Sequence, residues 1–341
     1  MDLKDYGAVP SHNGLPGIPA RVSAQHKERY ELVTEFGICY ARLKTKEYYL
    51  NRETFPTVGD YVMVRYLENG DSQILATLPR QSYFSRWEPG PVPREQAVAA
   101  NFDYVFVLQS LNQNFNLRRM ERYLTMAWQS GATPVIVLTK ADLAVSCQDY
   151  LAKLAEIAVG VKICPVSAHS GYGLEALKPY LLPGKTLVLL GSSGVGKSSL
   201  VNALAGETVM AVNGIREADG RGHHTTTHRQ LLRLNSGALI IDTPGMRELG
   251  MTEAAEGLME AFSDVEQYLG RCRFSDCRHA REPGCAIRAA LASGELEPAR
   301  WESYQKLHAE AVSHEQVLRR KREWAKNVAK ANKERKRKND D

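Results

Sequence analysis

Gly191-Ser192-Ser193-Gly194-Val195-Gly196-Lys197-Ser198 lies between an apolar run, Thr186-Leu187-Val188-Leu189-Leu190, and a helical pattern, Ser199-Leu200-Val201-Asn202-Ala203-Leu204. Strand, glycine loop and helix is the context in which this spacing cradles phosphate. The glycines let backbone N–H groups curl around phosphate oxygens, and the helix N-terminus adds the positive end of its dipole. Lys197 is placed to reach β- and γ-phosphates, and Ser198 to ligate Mg²⁺. An accidental Gly/Ser loop would not require the strand before it and the helix after it. Downstream, Asp242-Thr243-Pro244-Gly245 follows another strand, Ala238-Leu239-Ile240-Ile241. Asp242 at a strand end can hold the Mg²⁺ shell, and the Gly245 N–H can contact a γ-phosphate.

A base-recognition pattern stands upstream of this loop. Thr139-Lys140-Ala141-Asp142 follows the strand Pro134-Val135-Ile136-Val137-Leu138 and resembles the N/T-K-x-D motif of GTPases. The Asp142 carboxylate can accept from guanine N1–H and the 2-amino group, a donor pair that adenine lacks. The stem of Lys140 can pack on the base. Thr139 stands where GTPases usually carry Asn, which alters one base contact. Ser167 and Ala168 follow a further strand and resemble the loop that offers a backbone amide to guanine O6. Ordinary GTPases present the phosphate loop first, so the order here implies a circular permutation.

Between the two phosphate-side motifs lies Gly220-Arg221-Gly222-His223-His224-Thr225-Thr226-Thr227-His228. It resembles a switch I segment ordered by γ-phosphate, with Thr226 or Thr225 as the Mg²⁺-facing residue. Ras-type GTPases place Gln just after the second switch glycine to orient the attacking water. Here that position is Met246. His224 is the candidate for that task; the plainer reading makes His223, His224 and His228 surface or RNA-touching groups.

The flanking sequence divides the 341 residues further. Residues 1–30 read as a Gly/Pro-rich tail. Residues 31–85 carry short strand runs, Glu35–Ala41 and Asp60–Tyr66, with turn signals at Asn51-Arg52-Glu53, Val58-Gly59-Asp60 and Glu68-Asn69-Gly70-Asp71. They suggest a small barrel, with an OB-fold the commonest fit and a generic β-domain the alternative. Residues 86–100, with Pro89, Gly90, Pro91 and Pro93, read as a linker. From 101 to 250, apolar strands alternate with helical segments such as Leu117–Gln129 and Asp149–Ala158. That pattern predicts a mainly parallel sheet with helices on both faces.

Cys272, Cys277, His279 and Cys285 offer three thiolates and an imidazole within 14 residues. The set suits one tetrahedral Zn²⁺ with no open position, and so a structural site in a small helical domain over 251–312. Cys39, Cys147 and Cys164 stand apart and read as small buried hydrophobes. Residues 313–341 form a helix-prone tail, with eleven Lys or Arg and two Glu between Arg319 and Lys338. A charge run alone reads as a solvated face; beside a barrel and a zinc module, RNA phosphate becomes the better reading.

Hydrophobic content of 43%, charged content of 24% and net charge +5 are ordinary for a globular chain. No stretch approaches the roughly 20 apolar residues of a membrane span. The polar start, Met1-Asp2-Leu3-Lys4-Asp5, carries no signal core, so the expectation is a cytoplasmic protein without a membrane partner.

The order TKAD, SA, phosphate loop, GRGHHTTT, DTPG and C-x4-C-x-H-x5-C resembles one family, the circularly permuted ribosome small subunit-dependent GTPase A. The resemblance runs from about residue 33 to 310. It implies an OB-like barrel, a permuted G domain and a zinc domain, in that order. It implies a GTPase, using Mg²⁺ with GTP, that assists late maturation of the small ribosomal subunit; a monomer is a separate expectation. It further implies hydrolysis stimulated by that subunit and binding to its rRNA. The family's zinc ligands fall on Cys272, Cys277, His279 and Cys285. Its nucleotide residues fall on Thr139, Lys140, Asp142 and Gly191 through Ser198, and its G2 histidine on His224. Two other readings are an RNA-binding scaffold with structural nucleotide and incidental turnover, and an ATP-dependent enzyme.

Overall fold

The computed structural model describes residues 2–26, 29–43, 55–87, 95–112, 115–144, 146–210, 229–242 and 255–312. A five-stranded barrel opens the chain: β1 (Ile18–His26), β2 (Arg29–Thr34), β3 (Gly37–Leu43), β4 (Tyr61–Arg65) and β5 (Ser72–Thr77). The hydrogen-bonded order β1-β2-β3-β5-β4 closes when β4 pairs back on β1, with Ala20 opposite Val62. Every contact is antiparallel except β3 with β5. Ala20, Val22, Leu32, Ala41, Val62, Val64 and Ile74 fill the interior and are fully buried.

This arrangement corrects the expectation of a loose tail over 1–30. β1 is the strand that closes the barrel, so the barrel begins at Ile18. A 3-10 turn, Leu3–Tyr6, precedes it and buries Leu3 and Tyr6. The inward residues of β1 that join the barrel core are small (Ala20 and Val22), Arg21 lies between them, and a bulge after Val22 sets Ala24 opposite Glu31 instead. The apolar signal is therefore faint, while Pro16, Gly17 and Pro19 dominate the local composition.

The expected linker over 86–100 is likewise corrected. β6 (Tyr83–Trp87) pairs antiparallel with β7 (Glu95–Ala100), and Val98, Ala99 and Ala100 are buried. The prolines that suggested a linker fall between these strands, outside the described residues.

The second unit is a six-stranded sheet: β8 (Tyr104–Ser110), β9 (Thr133–Thr139), β10 (Lys162–Pro165), β11 (Thr186–Gly191), β12 (Gln230–Arg233) and β13 (Leu239–Asp242). Its order is β10-β9-β8-β11-β13-β12, parallel throughout except β12. β12 also meets β1, at Gln230 and Ala24, which joins sheet and barrel into one hydrogen-bonded array.

Alternate residues of these strands feed two cores. Val105, Val107, Ile136, Leu138, Val188 and Ile241 face α1 (Leu117–Gln129). Phe106, Leu108, Val135, Val137, Leu187 and Ile240 face α3 (Lys197–Ala205). Burial on both faces is why the strands are apolar runs rather than alternating ones. A shorter helix, α2 (Gln148–Ala155), buries Leu154 on the α1 side. Asn116 caps α1 by accepting from the Arg119 N–H at 3.0 Å. Of the three isolated cysteines only Cys164 is buried; Cys39 and Cys147 are partly exposed, contrary to expectation.

The C-terminal helices α4 (Ala255–Ala261), α5 (Ala286–Ser293) and α6 (298–312) do not build a separate core. Leu258, Phe262, Val265, Ile287, Leu296, Tyr304 and Leu307 join the cluster of Met120 and Leu124 on α1. At Gly257 the two helices approach so closely that a Cβ would lie 2.3 Å from the Thr125 carbonyl oxygen. No helix among the described residues is long and apolar enough to cross a membrane.

Candidate nucleotide site and metal centre

β9, β10, β11 and β13 run parallel, so their C-terminal ends share one edge of the sheet, where ligands of open α/β sheets bind. β11 ends in Gly191 and the chain turns through Gly194 (φ 71°) and Gly196 (φ 102°) into α3. Both angles lie in the left-handed region, where a side chain would be strained. Gly191 is tight for another reason. A Cβ there would sit 3.0 Å from the Leu108 carbonyl oxygen and 3.1 Å from Val195. Lys197 folds back so that Nζ donates to the carbonyls of Gly191 at 2.7 Å and Ser192 at 2.9 Å. The ammonium thus sits inside the loop that would surround phosphate. Ser193 and Gly194 are exposed, Val195 is buried, and Ser192 and Ser198 are partly open.

The end of β9 reaches this loop directly. Thr139 Oγ1 donates to the Val195 carbonyl at 2.5 Å, and Lys140 Nζ donates to the Gly194 carbonyl at 2.9 Å. Lys140 has φ 59° and ψ 38°, a sharp left-handed turn for a residue with a side chain. The turn is fixed by the Ala141 N–H, which donates to the Val166 carbonyl at 3.1 Å. It carries Asp142, exposed, to Ser167, fully buried. The hydrogen bond from Ser167 is the main influence holding the Asp142 carboxyl below its ordinary range, with smaller help from His169 and Lys140. Ser167 is held in turn by its N–H to the Tyr172 carbonyl at 2.9 Å. Ala168 follows, partly exposed, on the same loop.

Asp242 ends β13 beside β11 and is partly buried. Thr243 through Met246, and the segment holding His223, His224, Thr225, Thr226, Thr227 and His228, lie outside the described residues. A cavity of about 1030 Å³ lies elsewhere, between the N-terminal turn, Arg21 and the opposite ends of β8, β9 and β11 at Tyr104, Thr133 and Thr186. It shares no residue with the phosphate loop.

Among the described residues, Cys272, Cys277, His279 and Cys285 bring their ligand atoms within 4.8 Å of one another. His279 Nδ1 stands 3.4 Å from Cys272 Sγ and 3.4 Å from Cys285 Sγ, and the two sulfurs are 3.9 Å apart. Two sulfurs bound at about 2.3 Å to a tetrahedral zinc are about 3.8 Å apart, so the donor set fits that ion. His279 takes φ 60° to turn inward, and Cys285 sits at the N-terminus of α5. Burial raises the Cys272 thiol, but N–H groups of Ala286 and Ile287 and the neighbouring thiols outweigh it and hold the group below its usual value. Burial pushes the Cys277 thiol up to about 11. The ring of His279 meets Trp301 edge-on at 5.6 Å, and Trp301 stacks on Tyr304 at 5.6 Å. The cluster is thereby anchored to α6.

The model of the RsgA GTPase family matches residues 77–252, from the last strand of the barrel through the nucleotide edge. The chain belongs to the RsgA GTPase family. It is 48% identical over 295 residues to a Listeria monocytogenes protein named small ribosomal subunit biogenesis GTPase RsgA 1, covering 86% of this chain and 84% of that one. Among solved structures it is similar to YjeQ from Thermotoga maritima, with a TM-score of 0.65 and 29% identity over 86% of this chain and 98% of that one. It shares the fold of YloQ, described as a circularly permuted GTPase, with a TM-score of 0.60 and 23% identity over 90% and 99% of the two chains.

The permutation is visible in the sheet of this RsgA GTPase. β8, β9 and β10 come first in the chain, yet β8 lies against β11, which carries the phosphate loop. The hydroxyl of Ser167 holding Asp142 has no motif of its own in the sequence. The sequence marks Ser167 as part of the SA loop, where the expected contact is a backbone amide to guanine O6, and not as a hydroxyl partner of Asp142.

Proposed function

We propose that this chain is a GTPase that binds the small ribosomal subunit, assists its late maturation, and hydrolyses GTP to GDP and phosphate with stimulation by the subunit. The observation that supports the reading is the direct bonding of Thr139 and Lys140 to the carbonyls of Val195 and Gly194, which brings the Thr139–Asp142 turn and the glycine loop together at one sheet edge.

In this reading Asp142 accepts from the guanine Watson–Crick edge, and the Ala168 amide faces O6. The loop N–H groups from Ser192 to Ser198 surround the phosphates. Lys197 leaves the Gly191 and Ser192 carbonyls to meet β- and γ-phosphate oxygens. Ser198, Thr226 and Asp242 are the residues that would hold Mg²⁺, whose chemistry is to neutralise charge on the β- and γ-phosphate oxygens. Gly245 offers its N–H to the γ-phosphate, and His224 orients the attacking water in place of the side chain that Met246 does not supply. Cys272, Cys277, His279 and Cys285 hold one structural Zn²⁺. RNA phosphate is the partner of the basic segment after 312, and the protein acts as a cytoplasmic monomer.

The test is steady-state GTP turnover with and without small subunits. Stimulation of tenfold or more is expected. Equal turnover in both conditions would favour a scaffold with incidental hydrolysis.

A further inference from the structure

Position 139 decides more than whether the motif matches. An Asn there would bring an amide with two N–H donors; Thr brings one hydroxyl proton. That proton is committed, because Thr139 Oγ1 donates to the Val195 carbonyl at 2.5 Å. The residue is buried, and its backbone is committed too: the carbonyl accepts from the Leu111 N–H at 2.9 Å, and the residue pairs with Ser110 in the β8–β9 ladder.

Guanine offers N7 and O6 as acceptors on its outer edge, and N1–H and the 2-amino group as donors on its Watson–Crick edge. With Asp142 on the donor edge, the five-membered ring bearing N7 lies toward the sugar and phosphates. Thr139 touches the phosphate loop, so it stands on the N7 side. A hydroxyl whose proton is already donated has only lone pairs left, and N7 is itself an acceptor.

We infer that Thr139 is a positioning residue that ties the phosphate loop to β9 and gives guanine N7 no hydrogen bond. The site then selects guanine through the Watson–Crick edge and accepts guanine nucleotides altered at position 7. This rests on the nucleotide site proposed above. Lys140 shares the tie through Gly194. The loop is thus gripped at two successive carbonyls, and neither grip is available to the base.

Equilibrium titration of the full chain with GDP and with 7-deaza-GDP, in which N7 is replaced by C–H, tests the inference. Wild-type protein is expected to bind the two within about twofold. In Thr139→Asn the second amide proton becomes available, and GDP should be preferred by about fivefold, the net worth of one hydrogen bond. In Thr139→Val both ligands should weaken by the same factor, because only the loop tie is lost. Wild-type preference for GDP of fivefold or more would overturn the inference. So would an unchanged ratio in Thr139→Asn, which would place position 139 away from N7, or undiminished GDP binding by Thr139→Val. No binding of GDP by wild type would instead overturn the nucleotide site itself.

Discussion

Arg300 on α6 donates to Glu121 on α1 at 2.7 Å, with only 6% and 4% of the two side chains exposed. The same guanidinium donates to Asp264 at 3.0 and 2.8 Å and to the Ala261 carbonyl, and lies 3.9 Å from the centre of the Phe262 ring. One side chain therefore fastens the C-terminal helices to the sheet unit. Two exposed pairs on the same seam, Arg122 with Glu310 and Arg118 with Glu302, add little beside it. Replacing Arg300 by Met leaves Glu121 buried without its partner. Breaking a buried pair from one side costs about 3–5 kcal/mol. The expected outcome is a large fall in the urea midpoint, with the Glu121→Gln, Arg300→Met double variant recovering part of it. A midpoint within error of wild type would refute the role of this seam.

Gly257 reports on the same contact from the backbone side. In an isolated helix Gly→Ala stabilises by about 1 kcal/mol. Here the added Cβ would meet the Thr125 carbonyl at 2.3 Å and Gln129 Cβ at 2.8 Å. Overpacking against backbone costs about 1–3 kcal/mol, so the steric effect wins. Gly257→Ala should lower the melting temperature and loosen α4 from α1, read as faster amide exchange in both helices. A rise in melting temperature would show that α4 is free to shift.

These two contacts mark the limit of what the sequence discloses. Apolar runs such as Val135–Leu138 and Leu187–Leu190 announce buried parallel strands, because burial on both faces demands them. The ligand spacing from Cys272 to Cys285 announces its own cluster. β1 escapes notice because its core-facing residues are Ala20 and Val22, small enough to leave almost no hydrophobic signal, and a bulge after Val22 breaks the alternation. Arg21, fully buried, reads as a surface charge although it bonds the carbonyls of Gly59 and Asn101 and the hydroxyl of Thr186. Arg300 and Glu121 lie 179 positions apart, and nothing local marks them as partners. The permutation is legible for a different reason. It is an order of motifs, and each motif carries its own strand context.

The Cys/His cluster should be measurable through Trp301, which lies against His279. Removing metal with a chelator frees His279 and changes the surroundings of the indole, so tryptophan fluorescence should shift and recover on adding Zn²⁺. Metal binding displaces protons from thiols. Because the Cys277 thiol is pushed up to about 11, zinc affinity should rise with pH across the range from 6 to 9. A fluorescence change that chelator and zinc leave untouched, or an affinity independent of pH, would count against a metal at this site.

Replacing Asp142 by Asn tests the base assignment. The amide presents a donor where guanine also presents donors, while xanthine carries a carbonyl at position 2. GDP binding should weaken by about tenfold or more, on the scale of 1–3 kcal/mol for a mispaired buried hydrogen bond. Xanthosine diphosphate binding should strengthen. Unchanged preference for guanine would remove Asp142 from the base site.

Ser167 gives the same carboxylate a pH signature. Its hydroxyl is the main influence that holds the Asp142 carboxyl below the ordinary range, so the acid stays ionised at pH values where a free aspartate takes up its proton. Only the ionised form accepts both guanine donors, and GDP affinity should fall as pH drops through the lowered pKa. Ser167→Ala removes the donor and moves that pKa upward toward its usual value. The acid limb of the affinity profile should then shift to higher pH, while affinity near neutrality changes little because Asp142 is ionised there in both proteins. The Ser167 N–H still bonds the Tyr172 carbonyl, so the loop is retained in the variant. Titrations of GDP from about pH 2.5 to 6, which span the ordinary aspartate range and the region below it, read the shift, and coincident profiles for the two proteins would show that Ser167 does not set the charge of Asp142.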